Sequence, residues 1–170
     1  EEVHVWGTDP TEPDTDADAL TDFEEVMVEG TDPLSFDTDN DGANDFEELR
    51  IYGTDPLRDD TDGDGLHDGV EIHDLGTNPF RKDTDGDGLF DGQELGWGTD
   101  PVRADTDGDG LSDADEFYNR YAYTDPLRAD TDGDGLSDGE ELLTWLTDPT
   151  LPDTDFDGVS DRDEIVNGTD

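Results

Sequence analysis

The feature that most constrains this chain is a twelve-residue acidic loop that returns seven times. Its clearest copy is Asp130-Thr131-Asp132-Gly133-Asp134-Gly135-Leu136-Ser137-Asp138-Gly139-Glu140-Glu141, with acids at positions 1, 3, 5, 9 and 12. The copies begin at Asp14, Asp37, Asp60, Asp83, Asp105, Asp130 and Asp153. Self-similarity at one period of about 23 residues marks a repeat protein. In every copy, positions 1, 2, 3, 5, 9 and 12 are Asp, Thr, Asp, Asp, Asp and Glu. Position 13 is always apolar (Val26, Leu49, Ile72, Leu95, Phe117, Leu142, Ile165).

This is the pattern that an EF-hand-type loop uses to wrap Ca²⁺. Side chains at 1, 3 and 5, a carbonyl at 7, a group at 9 and a bidentate Glu at 12 surround the ion, and Gly at 6 makes the sharp turn. The candidate ligands are Asp14, Asp16, Asp18, Asp22 and Glu25; Asp37, Asp39, Asp41, Asp45 and Glu48; Asp60, Asp62, Asp64, Asp68 and Glu71; and Asp83, Asp85, Asp87, Asp91 and Glu94. They continue as Asp105, Asp107, Asp109, Asp113 and Glu116; Asp130, Asp132, Asp134, Asp138 and Glu141; and Asp153, Asp155, Asp157, Asp161 and Glu164. A salt-adapted surface would also be acidic, but it has no reason to hold Asp and Glu to one register. The four loops from Asp60 to Asp130 carry Gly at both 4 and 6, where left-handed backbone is expected. The Asp14 loop, with Ala17 and Ala19 there, ranks weakest, and the Asp153 loop has Phe156 at position 4.

Composition says why metal is needed. Asp plus Glu is 53 against 8 Lys plus Arg, for a formal net charge of -45, and hydrophobic residues are only 28%. Such a chain cannot bury enough apolar surface to offset ordering entropy and charge repulsion, and without metal it is expected to be expanded. With ions at the loops, metal binding takes the place of the missing core. A polyanion of this density is repelled by nucleic acid and anionic lipid. There is no apolar run long enough for a transmembrane span. Cysteine is absent, so disulfides are no alternative staple.

A connector, Gly7-Thr8-Asp9-Pro10, returns at Gly30, Gly53, Gly76, Gly98, Tyr123 and Leu146. It always starts seven residues before the next loop, whereas the distance from a loop to the following connector varies, so insertions fall after Glu at position 12. That segment is predicted to be a short helix. Ser137 and Glu140 form a capping box, and Thr147-Asp148-Pro149 stops the run. Position 13 and the residue before the connector (Trp6, Tyr52, Leu75, Trp97, Trp145) are expected to pack on position 7 as a miniature core. The expected fold class is mostly irregular with small α content. It would be an elongated, calcium-stabilised rod of seven loop-plus-helix units near 7–29, 30–52, 53–75, 76–97, 98–122, 123–145 and 146–167. Glu1-Glu2-Val3 stand where positions 11 to 13 of a further loop would, and Gly168-Thr169-Asp170 open another connector. The array is therefore expected to be cut from a longer repetitive chain.

Units of the form Tyr123 to Glu141 resemble bacterial-type thrombospondin type 3 repeats, and the resemblance covers essentially the whole chain. It implies extended, calcium-saturated rods in cell-surface or secreted proteins of bacteria or archaea. It also implies that the residue before the connector Pro joins the ligands: Asp9, Asp32, Asp55, Asn78, Asp100, Asp125 and Asp148. The lack of Cys departs from the animal version and raises dependence on metal.

No catalytic constellation emerges, and no enzyme is expected. His4, His67 and His73 occupy unrelated repeat positions, no phosphate loop is present, and calcium ligands must stay ionised rather than act as general acids. Two classes remain: a calcium-stiffened extracellular stalk or fibre with a possible adhesive role, and a dockerin-like calcium-dependent protein-binding module. Extracellular calcium suits loops of millimolar affinity. The aromatic stretch Phe117, Tyr118, Tyr121 and Tyr123, in the one lengthened spacer, is the expected lateral contact with neighbouring repeats or identical chains, helped by Arg120 and Arg128.

Overall fold

The structure, a computed structural model, describes residues 6–118 and 123–168. They fall into two compact units, one ending at Lys82 and one beginning at Asp83. Each is built of tandem loop-plus-helix repeats, and among the described residues there are seven short helical segments and no strands.

In the first unit the helices are Asp22–Glu24 continued by Glu25–Glu29, Asp45–Glu47 continued by Glu48–Tyr52, and Asp68–Val70 continued by Glu71–Leu75. In the second they are Asp91–Trp97, Asp113–Tyr118, Asp138–Glu140 continued by Glu141–Trp145, and Asp161–Asn167. Each begins at loop position 9, and in several repeats the position-8 side chain supplies the cap. Thr21, Asn44 and Ser137 accept from the N–H three residues on, and Glu24, Glu47 and Glu140 close the reciprocal half of the box. At the far end Gly30, Gly53, Gly76, Gly98 and Gly168 take left-handed backbone, which glycine adopts without steric cost. Leu146 takes the same conformation with φ 66°.

The variable spacer has a simple structural reason. At six positions the N–H that follows the helix returns to the carbonyl of Glu at position 12. Where the spacer is one residue longer the last turn widens to a π turn, as in Gly30 to Glu25, Gly53 to Glu48, Gly76 to Glu71 and Leu146 to Glu141. Where it is shorter the turn stays α, as in Gly98 to Glu94 and Gly168 to Glu164. A π turn absorbs one inserted residue without moving either end.

The miniature core is smaller than the sequence suggests. Position 7 is buried at Leu20, Ala43, Leu66, Leu89, Leu111 and Leu136 but open at Val159. Trp6, Tyr52, Trp97 and Trp145 stay substantially exposed, so the residue before the connector does not complete that core. The space is taken by acid: Asp at position 9 and Glu at position 12 are among the most deeply buried side chains. Two of the displaced rings instead pack sideways on the next repeat. Tyr52 meets His73 edge-on at 5.9 Å, and Trp97 lies on Phe117 at 4.1 Å.

Consecutive repeats are tied through position 5. Asp41 accepts from the Gly69 N–H in the first unit. In the second, Asp87, Asp109 and Asp134 accept from the N–H groups of Ala114, Gly139 and Arg162. The donor is always position 10 of the following repeat, in its first helical turn.

Candidate metal centre

Each loop is organised by its own aspartates. At Asp60, one carboxylate oxygen accepts from the Gly63 N–H (2.6 Å) and the other from the Gly65 N–H (3.1 Å). Asp62 accepts from the Asp64 N–H and Asp64 from the Leu66 N–H. The same set recurs at Asp83, Asp105 and Asp130. The turn that presents these acids needs left-handed backbone at positions 4 and 6. The Asp14 loop obtains it with Ala17 (φ 67°) and Ala19 (φ 86°), and the Asp153 loop with Phe156 (φ 62°). Each such residue costs about 1–2 kcal/mol.

Two kinds of acidic cluster result. In the outer one, positions 1, 3 and 5 of one loop each bring an oxygen within 4.8 Å of the others, as in Asp14, Asp16 and Asp18, or Asp60, Asp62 and Asp64. In the inner one, positions 5 and 12 of one repeat meet position 9 of the next: Asp18, Glu25 and Asp45, then Asp41, Glu48 and Asp68, all buried and within the same distance. In these two clusters position 9 joins acids of the preceding repeat. Asp22, in the first described loop, is half-buried, whereas Asp45, Asp68, Asp91, Asp113 and Asp138 are 0% exposed. In the second unit, Asp113 is close enough to Asp87 and Glu94, and Asp138 to Asp109, for their charges to act on one another.

Two positions that the acidic pattern leaves without a role prove central. Thr at position 2 holds Asp at position 9 through both its N–H and its hydroxyl, as Thr38 holds Asp45 at 2.8 and 2.6 Å and Thr61 holds Asp68. In three repeats the connector Thr steadies Glu at position 12. Thr54 donates to Glu48, Thr77 to Glu71 and Thr147 to Glu141, at 3.0–3.1 Å. The signal was in the sequence: Thr fills both places in all seven copies, even where Tyr123 or Leu146 replaces the connector Gly.

Many of these acids keep a buried oxygen without a donor. One oxygen of Asp16, Asp39, Asp62, Asp85, Asp107 and Asp132, one of Glu48, Glu71 and Glu141, and both of Glu25 and Glu94 have no hydrogen-bonding partner. The ion pairs Arg50–Glu29, His67–Asp59 and His73–Glu47 involve none of the ligand positions. Burial, reinforced by neighbouring aspartates, pushes Glu25, Glu48, Glu71, Glu94, Glu116 and Glu141 up to about 8. Burial likewise pushes Asp18, Asp39, Asp62, Asp85, Asp107 and Asp132 up to about 6. Anionic oxygens buried together without donors are unfavourable unless a cation joins them. An all-oxygen donor set with no nitrogen or sulfur fits a hard divalent ion such as Ca²⁺. In the Asp153 loop Asp155 and Asp157 are exposed, and Glu164 is 8% exposed.

The connector Asp and Asn residues cap a turn. Asp9, Asp32, Asp55, Asn78, Asp100, Asp125 and Asp148 each use one side-chain oxygen to accept from the N–H two residues on, capping the Pro turn. In the lengthened spacer Phe117 is stacked on Trp97, whereas Tyr118 and Tyr123 are exposed. Arg120 and Tyr121 lie outside the described residues. Arg128 donates to the Asp130 and Thr131 carbonyls of its own loop.

With this geometry the comparison with known proteins is decisive for the family. The description of the bacterial TSP3 repeat matches residues 37–58, 60–82, 83–104, 105–117, 130–152 and 153–170. The chain belongs to the bacterial TSP3 repeat family. The Asp14 loop, with its two left-handed alanines, lies outside those TSP3 segments. No curated protein matches the chain. Among solved structures, the BSP domain of a biofilm associated protein is 42% identical over 25% of this chain and 7% of that one, with a TM-score of 0.25. A B domain of a biofilm associated protein is 40% identical over 26% of this chain and 11% of that one, with a TM-score of 0.26. The TSP3 array thus spans a small part of either chain. No helix among its described residues is long and apolar enough to cross a membrane.

Proposed function

We propose that this TSP3 array is a calcium-binding structural region, a stiffened stalk or fibre segment of a cell-surface or secreted protein. The observation that carries the reading is the set of buried carboxylate oxygens without donors, gathered in an outer cluster within one loop and an inner cluster shared by two repeats. Positions 1, 3 and 5 would hold one ion. Positions 5 and 12, with position 9 of the next repeat, would hold another. Bound calcium would supply the charge neutralisation that the apolar core is too small to replace. Because the inner ligands come from two repeats, each ion would couple neighbours, as expected of a one-dimensional array. The test is circular dichroism and protease resistance with calcium and with EDTA. Loss of order in EDTA supports the reading, and an unchanged spectrum with unchanged resistance refutes it.

Lateral contact between chains is a second part of the proposal. Tyr118 and Tyr123 present exposed rings close together in sequence, and aromatic side chains anchor interfaces well. Substituting both by Ser should abolish calcium-dependent association in sedimentation while leaving ion binding intact. Association that persists in this variant would remove the rings from the contact.

A further inference from the structure

The four loops at Asp60, Asp83, Asp105 and Asp130 share the same first seven residues, Asp-Thr-Asp-Gly-Asp-Gly-Leu. Any difference in their outer clusters must therefore come from outside those seven residues. The few cations of the chain are the obvious source. Most of those before a loop brace it: Arg58, Arg103 and Arg128 donate to the carbonyl of position 1 that follows them, at Asp60, Asp105 and Asp130. Ser35 makes the same bond to Asp37, so this brace needs a donor rather than a charge.

Lys82 behaves differently. It precedes the Asp83 loop in sequence but reaches back across the repeat boundary. Its ammonium donates to the Gly63 carbonyl at 2.6 Å and lies 3.2 Å from where a Cβ on Gly63 would be. Gly63 is position 4 of the preceding loop, between Asp62 and Asp64, two members of its outer cluster. The Lys82 charge acts on Asp62, favouring its ionised form. A carbonyl on the rim is thus occupied, and a positive charge sits at the edge of the cluster, close enough to act on Asp62.

We propose that Lys82 sets the calcium affinity of the Asp60 loop, lowering it by placing a built-in counter-charge beside Asp60, Asp62 and Asp64. The inference rests on the calcium reading above. Repulsion between a unit charge and a divalent ion several ångströms away at the protein surface is worth a factor of about three to ten in affinity. The Asp60 loop would then fill after the loops that share its first seven residues, giving the array a graded response rather than a single threshold.

The test is a calcium titration of the full chain followed site by site through the backbone amide resonances of Gly63 and Gly65, with Gly108 and Gly110 of the Asp105 loop as internal reference. Lys82→Gln should shift the Gly63 and Gly65 midpoint to about three- to tenfold lower calcium and leave Gly108 and Gly110 where they were. Lys82→Arg, which keeps the charge, should move neither. A shift under about twofold at Gly63 and Gly65, an equal shift in both loops, or the same shift in Lys82→Arg would overturn the proposal. If no glycine amide responds up to about 10 mM calcium, the calcium reading itself fails, and that outcome is distinct from all the others.

Discussion

The Asp41 carboxylate accepts a hydrogen bond from the Gly69 N–H at 3.0 Å, across the boundary between two repeats. Its other oxygen closes its own loop on the Ala43 N–H at 2.6 Å. One side chain therefore shapes a loop, joins the next repeat and contributes to both clusters. The approach is close because position 10 is glycine: a Cβ on Gly69 would lie 2.4 Å from the Ala43 nitrogen and the Gly42 carbonyl carbon.

Gly69→Ala should therefore force these two repeats apart. The expected destabilisation is about 1–3 kcal/mol, with faster hydrogen exchange at the Asp45 and Asp68 helix starts. Gly96, helical and facing open space, is the control, and its change to Ala should stabilise by about 0.5–1 kcal/mol. Thermal unfolding in calcium measures both. Equal effects at the two positions would contradict the packing described.

Acid should partly replace metal. The position-12 glutamates rise to about 8 in the folded chain from an ordinary 4.5, so folding takes up protons. Their contribution to stability is present in full below pH 4.5 and is lost as pH climbs through about 8. In EDTA, order measured by circular dichroism should increase as pH falls from about 8 toward 5, while calcium affinity falls over the same range. An EDTA spectrum that is flat across that window would count against buried, unneutralised glutamates.

The connector Thr should matter as much as an acid. Thr54→Val removes the donor that holds Glu48 and leaves its shape. A loss of about 1 kcal/mol in stability is expected, with weaker calcium binding at the cluster of Asp41, Glu48 and Asp68. Glu48→Gln should weaken calcium binding further and yet make the metal-free chain easier to order, because it removes a buried charge. Calorimetric titration of the two variants separates these effects.

Spacer length should be forgiving and loop length unforgiving. Deleting Ile51 would convert the π turn that ends on Gly53 into the α turn seen at Gly98, keeping the bond to the Glu48 carbonyl. Deleting Gly63 instead breaks the register of Asp60, Asp62 and Asp64. Melting temperatures should differ little from the parent for the first and fall sharply for the second. A reversed order would show that the π turn has a role of its own.

The repeat, the loop register, the helix starts and the left-handed glycines were legible because each is written within about a dozen consecutive residues. The sharing of acids between repeats was not. The spacing of Asp45 from Asp37 says that it belongs to a loop, but not that Thr38 would turn it toward Asp18 and Glu25 of the repeat before. The pre-connector rings failed as core for the same reason. Buried Glu25, Glu48 and Glu94 take up interior volume that a reading based on apolar pattern gives to Tyr52 and Trp97. Lys82 shows the limit of adjacency, since its ammonium reaches back to the Gly63 carbonyl of the preceding loop.

The central claim is that ions seated at both cluster types take the place of an apolar core, and counting them tests it most directly. Native mass spectrometry of the full chain in saturating calcium should find at least about six ions bound, released together with the ordered state when EDTA is added. Fewer than about four ions at saturation, or an ordered chain that keeps its fold after all ions are stripped at neutral pH, would contradict the account.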